Sequence, residues 1–67
     1  MYFIILALKG YSLITCKDNI VIGKNMKDDS YGIFYFSSTR PLGVIFDTCE
    51  TLNEALFKWN IILDDMR

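Results

Sequence analysis

The sequence predicts an α+β fold: a small antiparallel sheet of four to five strands followed by one C-terminal amphipathic helix packed on one face. Three observations carry this. Short β-rich segments alternate with turn-forming residues between Tyr2 and Phe46, the apolar spacing changes to steps of three and four after Thr51, and several strand-like segments are apolar on both faces. A chain of 67 residues buries only about 60% of the surface its unfolded state exposes, which supports one domain with a small core. That domain spans 1–67, strand-rich over 1–47 and helical over about 49–66.

Tyr2-Phe3-Ile4-Ile5-Leu6-Ala7-Leu8 is a continuous apolar run closed by Lys9-Gly10. Its pattern is that of a central strand buried on both faces. Tyr11 to Lys17 is rich in β-formers, and Asp18-Asn19 supplies a two-residue turn, because short polar side chains tolerate left-handed backbone. Ile20-Val21-Ile22 then returns as the second arm of a hairpin. Gly23 to Ser30 is the most polar stretch and reads as an exposed loop. Tyr31 to Ser38 offers Tyr31, Ile33 and Tyr35 to one face of a strand and Phe34 and Phe36 to the other. Thr39 to Gly43 is a turn built on Pro41, and Val44-Ile45-Phe46 is a last short strand.

The helix is the firmest element. Leu52, Ala55, Leu56, Trp59, Ile62, Leu63 and Met66 line one stripe, with Phe57 and Ile61 widening it or lying off it. Thr48 can cap its first amides, and Thr51 with Glu54 forms an alternative capping box.

Composition narrows the function. Formal net charge is -1, so the basic field of a nucleic-acid binder is missing. Tyr31 to Phe36 has the aromatic and glycine content of a base-stacking strand, but the net acidity disfavours single-stranded nucleic acid as a partner. Two cysteines are too few for a disulfide framework, which favours a reducing, cytoplasmic setting in the cell or an infected host. The first apolar run is far short of the roughly 20 residues a membrane span needs, so no membrane partner is expected. Abundant Ile, Phe, Tyr, Asn, Lys and Met, with only Ala7 and Ala55 as alanines, is the usage of AT-rich codons and hints at a phage or mobile element.

No histidine is present, which removes the commonest general base and metal ligand. Cys49 near the helix N-terminus is the one nucleophile candidate, with a small buried apolar role as the simpler reading, and Cys16 reads as core. No catalytic residue, metal site or cofactor is assigned, and the chain is not expected to be an enzyme.

The expected function follows from a mismatch. One helix hides one face of a sheet, so the other face belongs to a partner, a second copy or a ligand, unless the sheet curls on itself. The exposed surface expected for a protein target or for self-association is Tyr2, Ile4, Leu6, Tyr31, Ile33 and Tyr35, or else the complementary set Phe3, Ile5, Phe34 and Phe36, with Lys24, Lys27, Asp28, Asp29 and Arg40 as polar contacts. The leading expectation is a non-enzymatic accessory or inhibitor protein acting by stoichiometric binding, with a homodimer formed through the open sheet face or the edge of the first strand. The alternatives are a small-molecule or nucleotide-binding homo-oligomer with a pocket between subunits, and a single-strand nucleic-acid binder.

Overall fold

The structure, a computed structural model, describes residues 2–65. The elements are α1 (Tyr2–Leu8), β1 (Tyr11–Lys17), β2 (Ile20–Asn25), β3 (Tyr31–Tyr35), β4 (Val44–Cys49) and α2 (Leu52–Asp65). The four strands form an antiparallel meander in the order β1-β2-β3-β4, with β1 and β4 at its edges. The α+β architecture of sheet plus C-terminal helix is therefore present, with a second, N-terminal helix added.

Local chemistry sets the turns. Asp18 and Asn19 adopt φ of 53° and 69°, the pair of left-handed conformations that a two-residue hairpin turn needs to match strand twist. Between β2 and β3, the Asn25 side chain accepts the Lys27 N–H at 2.8 Å and the Asp28 carboxylate accepts the Ser30 N–H at 3.0 Å. These bonds from short polar side chains replace ladder bonds where the chain reverses. Strand β4 runs on to Cys49, so Thr48 lies inside the sheet. The helix cap is Thr51, whose Oγ1 accepts the Glu54 N–H at 3.2 Å, the capping half of the box.

Facing residues of paired strands share a side of the sheet, which divides the core into two layers. Ile20, Ile22 and Ile33 pack with Cys49, Ala55 and Leu63 under α2, flanked by Tyr31, Tyr35, Leu52, Leu56, Trp59 and Ile62. Trp59 Nε1 donates to the Ile20 carbonyl at 3.0 Å, tying the middle of α2 to β2. On the other side Val21, Phe34 and Phe36 pack with Leu6, flanked by Tyr2, Ile5 and Tyr11.

That second layer corrects the reading of Tyr2 to Leu8 as a strand. The segment is a helix, and Tyr2, Ile5 and Leu6 meet the sheet at helical spacing of three and four. Two glycines make this possible. Gly23 presents no side chain to α1, and a Cβ there would meet Leu6 Cδ1 at 3.4 Å and Tyr11 Cβ at 3.2 Å. Gly10 at φ 86° closes the helix in the left-handed cap conformation, with its N–H donating to the Ala7 carbonyl at 3.0 Å. A short apolar run ended by Lys-Gly serves a strand or a helix equally well, and here the empty face over Val21 and Phe34 decides for the helix.

In a strand, Leu6 and Leu8 would share one face; in α1 they point apart, Leu6 fully buried and Leu8 84% exposed. Leu6→Ala should therefore cost about 2 kcal/mol or more in urea unfolding, as buried leucine truncations do, whereas Leu8→Ala should stay within about 0.5 kcal/mol. Equal losses at the two positions would contradict the helix.

Candidate interaction surface

The helices are staggered over the sheet. Helix α2 packs across β2, β3 and β4, while α1 lies over the β1 side of the opposite face. Each face therefore leaves one edge strand uncovered, and the two edges differ. On the α2 side of β1 the uncovered positions are Ser12, Thr15 and Lys17, paired with Lys24, Ile22 and Ile20. On the α1 side of β4 the uncovered apolar residue is Ile45, paired with Phe34 and 46% exposed.

Strand β4 is exposed on its other face as well. Val44 is 40% and Phe46 55% exposed, so three consecutive apolar residues stand open on an edge strand. The pairing with β3 shifts between Ile33 and Phe34, leaving Phe46 as the extra residue of a bulge. Its ring stacks on Tyr35 at 5.9 Å between centroids and 27° between planes, which fixes it on the α2 side. Edge strands are usually guarded by lysine, proline or inward charge. Within β4 the one charged residue is Asp47, and its Oδ2 is held by Lys58 Nζ at 3.0 Å.

This ion pair sets the local electrostatics. The Lys58 hydrogen bond, then the Thr48 N–H at 2.8 Å, hold the Asp47 carboxyl below the ordinary aspartate value. The Asp47 hydrogen bond in turn raises Lys58. Both side chains are partly exposed, so the pair contributes little to stability, but it leaves the edge without a free charge.

The residues expected to form one open surface are divided by the sheet. Tyr2 and Leu6 belong to the α1 layer, Leu6 fully buried; Tyr31, Ile33 and Tyr35 lie under α2, Ile33 fully buried. Ile4 alone of the six is strongly exposed, at 55%. With Phe3 and Leu8 it forms an outer apolar stripe on α1. Phe57 and Ile61 form a second stripe on the outer side of α2, opposite its core-facing residues.

The polar contact residues are also separated. Lys24, Lys27, Asp28 and Asp29 sit at the β2–β3 turn, where Lys24 Nζ lies 3.8 Å from Asp29 Oδ1. Hydrogen bonds from Ser30 hold the Asp28 carboxyl below its usual value. Arg40 belongs to the β3–β4 connection at the opposite end of the strands, where its N–H donates to the Ser37 carbonyl at 3.1 Å.

Neither cysteine resembles a nucleophile. Cys49 ends β4 rather than opening α2; burial, with Glu54 and Asp47 nearby, pushes its thiol up, and Lys58 only partly offsets this. A raised thiol carries little thiolate. Cys16, expected in the core, is exposed on β1. A cleft of about 680 Å³ is open and lined by Tyr11, Asn25, Asp28, Thr48, Glu50 and Glu54 among others. Its carboxylates disfavour a phosphate. Among the described residues no cluster of histidine, cysteine or acidic side chains could hold a metal, and no helix is long and apolar enough to cross a membrane.

Sequence reasoning placed Val44-Ile45-Phe46 in the last strand without assigning it to a surface. The available signal was positional: the last strand of a meander is an edge, and this one lacks lysine and proline. The chain matches no protein-family model, and comparison with curated proteins and with solved structures gives no match.

Because the folded-state pKa of Asp47 is depressed, its contribution is present above the unfolded value of about 3.9 and is lost as pH falls through the lower folded value. Asp47→Asn should therefore reduce the drop in Tm between about pH 5 and pH 2, leaving the part due to Asp28. An unchanged acid limb in thermal melts would remove the Asp47–Lys58 pair as a source of acid sensitivity.

Proposed function

We propose that this chain acts by stoichiometric protein association rather than by turnover, with β4 as the docking strand. The observation that carries the reading is the exposure of Val44, Ile45 and Phe46 on an edge whose only charge is already paired. An edge strand turns every second N–H and C=O outward, so an incoming strand gains main-chain hydrogen bonds while its side chains meet apolar groups on both faces. The stacked, pre-positioned ring of Phe46 is the natural anchor, since rigid aromatics lose little freedom on binding.

The absence of histidine and the raised thiol of Cys49 support binding over catalysis. Nucleotide binding has less support, because Arg40 stands at the other end of the sheet from Lys24 and Lys27. An accessory or inhibitor role in a phage or mobile element fits the small size and the AT-rich-codon usage.

The test is recovery from extracts of the source cell by tagged chain, with the bound protein quantified against bait. The wild type should retain one protein near equal stoichiometry, Phe46→Lys should lose it at least about tenfold, equivalent to about 1.4 kcal/mol, and Leu8→Lys on α1 should keep it. Equal recovery by Phe46→Lys would overturn β4 as the docking strand.

A further inference from the structure

We draw no further inference here: the strongest candidate, the open cleft between the β2–β3 turn and the start of α2, rests on its exposed carboxylates Asp28, Glu50 and Glu54 alone, and no buried, unpartnered polar side chain among the described residues points to a ligand there.

Discussion

The constraint on which the rest of the structure depends is the burial of β2 on both faces. Ile20, Val21 and Ile22 are all fully buried, and alternation along a strand means that two of them face one way and the third the other. Neither helix alone can satisfy that requirement. Helix α2 supplies a long apolar stripe for Ile20 and Ile22, and α1, only seven residues long, closes the other side over Val21 with Leu6 at its centre. Once both are in place the sheet cannot be covered evenly. The short helix reaches the β1 side and the long one the β4 side, and both edge strands stay largely exposed. On the face away from its nearer helix β1 carries hydroxyls and a lysine and β4 carries isoleucine, while Leu13 of β1 and Val44 and Phe46 of β4 are exposed on the other face.

Stability in such a small core is set by few contacts. Fully burying a side chain such as Ile33 or Phe34 contributes about 1.5–3 kcal/mol, against a backbone ordering cost of about 1–2 kcal/mol per residue. Cys16 and Cys49 are free thiols, so no covalent link assists. The Trp59 bond to the Ile20 carbonyl joins α2 to the strand that most needs cover, and it also satisfies the indole N–H at a part-buried position. A chain so constituted has little margin, and any partner that binds only the folded state adds to it by mass action.

Much of this fold was legible. The Asp18-Asn19 turn, the division of Tyr31, Ile33 and Tyr35 from Phe34 and Phe36, and the stripe on α2 all follow from short-range periodicity and turn chemistry, which tertiary contacts here reinforce. Tyr2 to Leu8 was not legible, because every residue in it is apolar and a uniform run carries no period. Its outward residues Phe3, Ile4 and Leu8 look the same in sequence as its inward ones. The expected binding surface failed for the same reason: treating Tyr2, Ile4 and Leu6 as a strand placed them beside Tyr31, Ile33 and Tyr35, when a whole sheet lies between. The exposure of Val44 to Phe46 could be read only in part. Strand order makes β4 an edge, but how far α1 extends across the neighbouring strands is a matter of packing.

The contrast between the two edges argues that the openness of β4 is more than a by-product of a short covering helix. A sheet that only needed to stay monomeric would gain from lysine or proline in β4, since such residues cost little on an exposed strand and block pairing. β1 carries one lysine, at its end, beside half-exposed Leu13 and Ile14. β4 instead has three apolar residues in succession, a bulge that brings Phe46 onto Tyr35, and a lysine drawn from α2 to neutralise Asp47. Each of these lowers the cost of docking a strand: the ring is already ordered, the carboxylate is already partnered, and the remaining surface gains by leaving water. The two helices thus leave edges of different chemistry, with three successive exposed apolar residues on β4 and two on β1.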